Sequence, residues 1–464
     1  MKRGVVALVV VVALLSALAL SAPAAGAASV GPVPHQPTTP IRHLVVAMQD
    51  QHSFDNYFGT RPGVDGIPGG VCEPARAGAA KPCVRPTPID VANYAWAPLR
   101  ATRRAQAVAV DGGRMDGFVR AQASRVSDGR TAMGYYRPTQ VPTLSALADH
   151  SVLFDHWFSS VPGGSIANRL FAITARTTDA QTSVPAAGWR GLPTIFDRLD
   201  AAHVSWRIYV QNYDPGLTIA AAGARQREGG QLARVPVLAM PRFVADPRLR
   251  GHVVDLSRYY RDLATGRLPA VSYVVSTSST EHPPENPAVG QGLMHALVNA
   301  LIASPEWAHA AFLLDYDSSG GWYDHVVPPT VGGARLGLRV PALLLSPYAV
   351  PGTVDHSAYD GSAAVLRFIE NNWSLAPLSG RDRHAGDLAA AFRFARTPRP
   401  AALIAVPGSQ TRVRQPASGI LYAGYLTALL IAVAAVVLSG AGERRRRRGR
   451  YGGIHRRTGA AGAP

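Results

Sequence analysis

The chain has 464 residues, with 47 Lys and Arg against 30 Asp and Glu, for a formal charge of +17. Lys2, Arg3 and the eight arginines and one glutamate after Gly442 account for nine of those charges, leaving about +8 on the long central region. A surplus of that size favours anionic partners such as phosphoesters and acidic lipid surfaces. The strongest basic run sits beside an apolar span, where it reads as a topology signal, so no nucleic-acid partner is expected.

In chain order, Lys2 and Arg3 precede an apolar run from Val5 to Leu20 and the small residues Ala25-Gly26-Ala27, the pattern of a secretory signal peptide over 1–27. IRHLVVAM (41–48) reads as a buried strand, and it runs into MQDQHSFDNYFGT (48–60), which places Asp50, Gln51, His52, Ser53 and Asp55 close together. Cys72 and Cys83 are the only cysteines. In an oxidising compartment they are expected to form a disulfide that stabilises the fold by about 3 kcal/mol. SVLFDHWF (151–158), VSWRIYV (204–210), PAVSYVVS (269–276), AAFLLDYD (310–317) and VPALLLSP (340–347) read as further strands. PTIFDRLDAAH (193–203), GLMHALVNALIAS (292–304) and SAAVLRFIENNW (362–373) repeat their apolar residues at helical spacing. Several strands are apolar throughout, which suits a mainly parallel sheet buried on both faces. The expected fold is an α/β sandwich filling residues 28–397. A Pro/Arg-rich stalk (398–418) leads to GILYAGYLTALLIAVAAVVLSG (419–440), 22 residues without a charge. At ~1.5 Å per residue that span crosses a hydrocarbon core of ~30 Å. The arginines after it belong inside, so the expected protein is a single-pass membrane protein with its large domain outside the cytoplasm and a basic tail, 441–464, within.

Ligand sites in such a sheet collect at the carboxyl ends of the strands. Polar clusters fall there repeatedly: Asp50-Gln51-His52 after the first strand, Glu281-His282-Pro283-Pro284 after 269–276, and Asp315-Tyr316-Asp317 at the end of 310–317. Their recurrence at one end points to a shared site. Gly163 and Gly164 permit tight backbone geometry before Ser165, which stands where a helix can begin. Taken alone, Ser165 is either an N-cap or an exposed nucleophile with helix N–H groups beside it.

Longer stretches carry a resemblance. IRHLVVAMQDQHSFDNYFGTRPGVDGI, MDGF (115–118), MGYYRPTQVPTLSALADHSVLFDHWFSSVPGGSIANRL, EHPPENPAVGQG, YDSSGGWYDHVVPP and VPALLLSPYAVPGTVDHSAYDGSAAVLRFIE follow in order along the central region. In this the chain resembles the bacterial phosphoesterase family of phospholipases C and related acid phosphatases, within the alkaline-phosphatase-like superfamily. The resemblance implies that Ser165 is the nucleophile and that Asn168 and Arg169 bind phosphate. It implies that His282 contacts phosphate or assists proton transfer, and that Asp50, Gln51 and Asp317 hold a divalent metal. The implied substrate is a phosphate mono- or diester, phospholipid among the candidates. Several family positions differ. Asp50 and Gln51 stand for Glu and Asn, Gly164 and Ala167 for two prolines, Ser318 and Ser319 for Glu and His, and Gly361 for His. Glu to Ser at 318 removes a charge that a hard cation wants. Asp315, two residues before Asp317 and so on the same strand face, is either its replacement as a metal ligand or a solvated strand end. The departures also suit a second reading, a phosphoesterase-like frame that binds without turning over.

Overall fold

The structure, a computed structural model, describes residues 33–75, 83–89, 99–124, 127–176, 182–282 and 285–406. The chain falls into two compact units, 1–405 and 406–464; the architecture here is that of the first. The expected signal peptide (1–27), membrane span (419–440) and basic tail (441–464) lie outside the described residues, as does the stalk beyond residue 406. Among the described residues no helix is long and apolar enough to cross a membrane.

Eight strands form the central sheet: β1 (His43–Gln49), β2 (Val152–Phe154), β3 (Trp206–Val210), β4 (Val253–Asp255), β5 (Val271–Val275), β6 (Ala310–Tyr316), β7 (Ala342–Leu345) and β8 (Thr353–Asp355). Their order is β8-β2-β7-β6-β1-β5-β3-β4. Only β7 runs against its neighbours; every other pairing is parallel. The sheet is therefore mainly parallel, as the unbroken apolar runs indicated. Every residue of β5 and β6 is buried, because helices cover the sheet and leave no solvated face for polar side chains to alternate onto. At the centre, Val45 of β1 lies opposite Ser272 of β5 on one side and Phe312 of β6 on the other.

The helices that matter for the site are α1 (Phe54–Phe58), α2 (Ser165–Thr174), α3 (Ile195–Ala201), α4 (Gln231–Arg234), α5 (Pro287–Ile302) and α6 (Gly361–Asn372). α2 packs against α3, α4 and α6. The six strands and three helices read from periodicity all appear, with ends moved by a few residues.

One expected strand is split. SVLFDHWF leaves the main sheet after Phe154, and Trp157–Phe158 pairs instead with Tyr359–Asp360. The break falls at Asp155, a fully buried carboxylate that accepts from Asp65 N–H at 2.8 Å and meets His156 at 2.9 Å and His356 at 2.7 Å. A strand has no place for so many convergent partners. The edge strands β4 and β8 went unread because three residues are too few to show a period. Cys72 and Cys83 are disulfide-bonded as expected, their Cα atoms 5.5 Å apart. The start of the expected stalk is docked on the body. Arg399 donates its N–H to Pro347 O, and Ile404 exchanges backbone hydrogen bonds with the Asn299 side chain of α5 at 2.9 and 3.1 Å.

Candidate active site

The site is assembled at the carboxyl ends of β1, β5 and β6. Asp50 leaves β1 with its N–H on Thr280 O at 3.0 Å. Gln51 then turns through a left-handed conformation, φ 58°, unusual for a residue with a side chain. That turn presses the Gln51 carbonyl against Gly320, where a Cβ would lie 2.3 Å from the carbonyl oxygen. Only glycine fits there. From this position Gln51 donates its N–H to Asp317 Oδ1 (3.3 Å) and its amide Nε2 to Ser165 Oγ (3.1 Å).

Ser165 is the first residue of α2, and Gly164 occupies the cap position without a side-chain bond. The N-cap alternative therefore falls away. The Ser165 hydroxyl lies near enough to the Asp317 carboxylate to lower its pKa, and the N–H groups of the first helical turn lie beside it. Asn168, expected at the phosphate, faces the other way. It is buried, its Oδ1 accepts from Val161 N–H at 3.0 Å, and its Nδ2 donates to the carbonyls of Val161 (3.2 Å) and Gly164 (3.3 Å). It fastens the turn that presents Ser165 and has no polar atom left for a substrate.

Arg169, 3 % exposed, forks between two carboxylates: Nη2 to Asp50 Oδ1 at 2.5 Å and Nε to Asp317 Oδ2 at 2.8 Å, with Met48 O at 3.1 Å. Arg234, at the end of α4, takes the other Asp50 oxygen through Nη2 at 2.6 Å and Nε at 3.1 Å. No motif marked Arg234 in the sequence. Burial works to raise the Asp50 pKa, but Arg169 and Arg234 outweigh it and hold the carboxyl at about 2. For Asp317 burial wins. Arg169 and, less strongly, the Ser165 hydroxyl oppose it, Asp50 adds repulsion, and the carboxyl is pushed up to about 6. His282 lies close enough for its charge to be felt at Asp50.

The residue before His282 is clamped. Glu281 is buried with φ 62°. Its carboxylate accepts from Tyr57 OH (2.6 Å), Tyr316 OH (3.0 Å) and Gln49 Nε2 (3.3 Å), while its carbonyl meets His52 Nε2 at 2.9 Å. A backbone in that region costs of order 1 kcal/mol or more, and these bonds hold it there. His52, Ser53 and Asp55 thus belong to the frame. His52 stacks on Tyr57 with ring centroids 4.1 Å apart, and Ser53 caps α1 by accepting from Asn56 N–H. Asp55 pairs with His325 and Arg339.

Asp315 does not replace the missing acid. Its Oδ1 accepts from Trp157 Nε1 at 2.9 Å and from Tyr316 N–H at 2.7 Å, and burial pushes its pKa up to about 7. The same indole explains the lost histidine: a Cβ at Gly361 would sit 2.4 Å from Trp157 Nε1. Trp157 fills the volume a side chain at 361 needs. Ser318 gives its hydroxyl to Asp317 Oδ1 at 3.1 Å.

The expected metal ligands converge, but not as a cation site. Both oxygens of Asp50 are taken by guanidinium groups, and those of Asp317 by Arg169, Gln51 N–H and Ser318. Two carboxylates face two permanent cations, so the anionic charge that draws a hard divalent ion is already neutralised. The residues at Asp50, Gln51, Asp315 and Asp317 do not fit a divalent ion.

A second polar cluster, unread in the sequence, lies at the same sheet end toward β2, β7 and β8. Asp55, Asp324 and His325 bring three ligand atoms within 4.8 Å of one another, a group that could hold a metal ion. Arg339, fully buried, reaches into it with Nε on Asp324 Oδ1 (2.8 Å) and Nη2 on Asp55 Oδ1 (3.1 Å). From there a chain of contacts runs outward: Asp55 to His325 (2.7 Å), His325 to Asp65 (3.0 Å), Asp65 to His156 (3.2 Å), His156 to Asp155 (2.9 Å) and Asp155 to His356 (2.7 Å).

A family model described as "Phosphoesterase family" matches residues 41–376. The chain is 29 % identical over 355 residues to non-specific phospholipase C6 of Arabidopsis thaliana, covering 69 % of this chain and 64 % of that protein. It is 27 % identical over 442 residues to phospholipase C A of Mycobacterium tuberculosis, covering 79 % of this chain and 80 % of that one. Against the non-hemolytic phospholipase C of Pseudomonas aeruginosa it is 28 % identical, covering 76 % of this chain and 57 % of the relative. Among solved structures, a protein in the alkaline phosphatase superfamily from Vibrio parahaemolyticus is similar with a TM-score of 0.37 and 14 % identity, covering 75 % of this chain and 71 % of that one. That last likeness is too slight to bear on the site.

Proposed function

The chain belongs to the Phosphoesterase family, and from that premise we propose that it is a hydrolase of phosphate mono- or diesters, phospholipids included, with Ser165 as nucleophile. The observation that carries this reading is the Ser165 hydroxyl, set at the start of α2, hydrogen-bonded by Gln51 Nε2 and next to the Asp317 carboxylate whose pKa it helps to lower. Asp317 takes the hydroxyl proton as Oγ attacks phosphorus, so a phospho-serine bond forms while the bond to the leaving alcohol breaks. The first N–H groups of α2 face the charge on the phosphoryl oxygens. His282, presented by the Glu281 clamp, gives a proton to the leaving oxygen. Water then attacks the phospho-serine and gives a proton back to His282 as the P–O bond to Ser165 breaks, and Asp317 returns its proton to the Ser165 oxygen.

The test is hydrolysis of a chromogenic phosphomonoester and a chromogenic phosphocholine diester by the full-length protein. Turnover of either supports the proposal, and turnover of neither overturns it in favour of the second reading, a binding protein on a hydrolase frame. Ser319 and Gly361, which stand where the family has histidines, favour that alternative. A base must be ionised to accept a proton, and Asp317 has its pKa raised to about 6. Below that pH, kcat/KM is therefore expected to fall about tenfold per pH unit, the acid limb of a profile whose alkaline limb reports the proton donor. Asp317→Asn should remove this limb of the pH–rate profile along with most of the activity.

We further propose that the domain is held outside the cytoplasm by residues 419–440. Deleting residues 419–464 is expected to move the protein from the membrane fraction to the soluble extracytoplasmic fraction, as read by fractionation and immunoblot.

A further inference from the structure

We propose that Arg169 and Arg234 stand in the place for which a divalent cation was expected, so that the Ser165 site binds phosphoesters with no metal at Asp50 and Asp317. The inference rests on the reading of Ser165 and its neighbours as a phosphoester site.

Three observations carry it. The first is geometric. Arg169 spans the two carboxylates that a shared ion would have to bridge, with Nη2 on Asp50 at 2.5 Å and Nε on Asp317 at 2.8 Å. It cannot retire to make room, because it is 3 % exposed and its Nη2 is also held by Met48 O. The second is charge. Asp50 and Asp317 bring two negative charges, and Arg169 and Arg234 bring two positive ones. A divalent ion gains its affinity from uncompensated anionic oxygens, and here it would meet a neutral set with two guanidinium groups in contact with its ligands. The third is the rest of the donor set. The Asp315 carboxyl is turned to Trp157, and Ser318, at the position of a family glutamate, spends its hydroxyl on Asp317. Gln51 turns its amide N–H to Ser165, which leaves it only a neutral amide oxygen to offer a cation.

The two arginines do different work. Arg169 is the internal counter-ion that lets Asp50 and Asp317 lie side by side. Arg234 is the more accessible, with 15 % of its side chain exposed and its Nη2 and Nε both on one Asp50 oxygen. It is therefore the residue whose loss should open a cation position, at Asp50 Oδ2 and beside the place Arg169 keeps: without it, that oxygen loses both of those bonds and the set regains a net negative charge.

The experiment measures metal content and phosphate binding of the full-length protein. After dialysis against chelator and then against Mg²⁺, Ca²⁺, Mn²⁺ or Zn²⁺, bound metal is counted by plasma mass spectrometry for wild type, Asp50→Asn, Arg234→Met and the Arg234→Met/Asp50→Asn double variant. Affinity for inorganic phosphate is measured by titration calorimetry with and without chelator. Wild type and Asp50→Asn are expected to hold the same amount of metal, and wild-type phosphate affinity should change less than twofold in chelator. Arg234→Met should gain close to one ion per chain, and the double variant should lose it. Arg234→Gln, closer in polarity, serves if the Met variant is unstable. An ion on wild type that Asp50→Asn removes overturns the proposal, as does a tenfold or greater loss of phosphate affinity in chelator. A folded Arg234 variant that gains no ion overturns the part assigned to Arg234. Metal that persists in Asp50→Asn sits elsewhere, as at Asp55, Asp324 and His325, and agrees with the proposal. A protein that turns over no phosphoester defeats the hydrolase reading, while the metal count still decides this one.

Discussion

Ser165→Ala is expected to lower kcat/KM for a chromogenic phosphoester by at least about 10⁴-fold, in line with the loss of a nucleophile that acts as a unit with its base. The fold should not change. Gly164, not Ser165, is the cap of α2, so the substitution costs no capping bond, and alanine is the best helix former at the first helical position. Phosphate affinity should change little, because the helix N–H groups remain. A variant that keeps more than about a tenth of wild-type activity places the nucleophile elsewhere. The conclusion is sharpened by Gln51. Its side chain and that of Ser165 meet at 3.1 Å across 114 positions of sequence, so Gln51→Ala should give a smaller loss, about 10- to 100-fold, through a less well aimed hydroxyl. Steady-state kinetics on the two variants, with circular dichroism to confirm folding, separates nucleophile from aim.

Much of the fold was legible because it follows local rules. Continuous apolar strands mark a sheet buried on both faces, and the six that were long enough to show this all lie in the sheet or begin in it. That Ser165 opens a helix was legible for a similar reason, since a Gly-Gly pair precedes an apolar helical run, but its part as nucleophile came only with the family resemblance. Roles that depend on long-range pairing were not legible. Arg169 is visible as a residue, but nothing local says that its guanidinium meets Asp50 119 positions earlier and Asp317 148 positions later. Arg234 lies in QLARVPVL, which carries no motif at all. Asn168 has the residue type of a phosphate ligand, and only the geometry shows both ends of its amide spent on the turn before α2. Asp315 shares a strand with Tyr316 beside Asp317, and alternation alone could not show that Trp157 had claimed its carboxyl. The opening loop divides on the same principle. Asp50 and Gln51 reach the site, while His52, Ser53 and Asp55, equally polar, hold the frame.

Arg339→Leu is expected to destabilise the protein by about 3–5 kcal/mol, the usual result of removing one partner from a buried ion pair and leaving the other charge behind. Arg339 is fully buried and binds two buried carboxylates, Asp324 at 2.8 Å and Asp55 at 3.1 Å, while Nη1 donates to the carbonyls of Asp65 (2.9 Å) and Asp155 (2.8 Å). It therefore ties α1, the loop at Asp65 and the end of β2 to the strand-side of β7. Leucine fills much of the volume and satisfies none of these groups, so the loss is electrostatic and depends on pH. Burial pushes the Asp324 pKa up to about 6, and Arg339 is the main force holding it down. An acid with a raised folded-state pKa binds more protons folded than unfolded, so its ionisation costs stability as pH rises through that range. In the variant that cost is unopposed. The His325 pKa is raised, mainly because Asp55 outweighs the burial that would lower it. Its imidazolium therefore stabilises the fold below the ordinary histidine value and stops doing so as pH rises through the folded one. Both groups act in the same direction. The stability gap between wild type and Arg339→Leu should be narrow near pH 5 and should widen toward pH 8, as measured by urea unfolding at each pH. A gap that stays constant across that range would mean that the lost hydrogen bonds to Asp65 and Asp155, which do not titrate, carry the effect instead of the carboxylates.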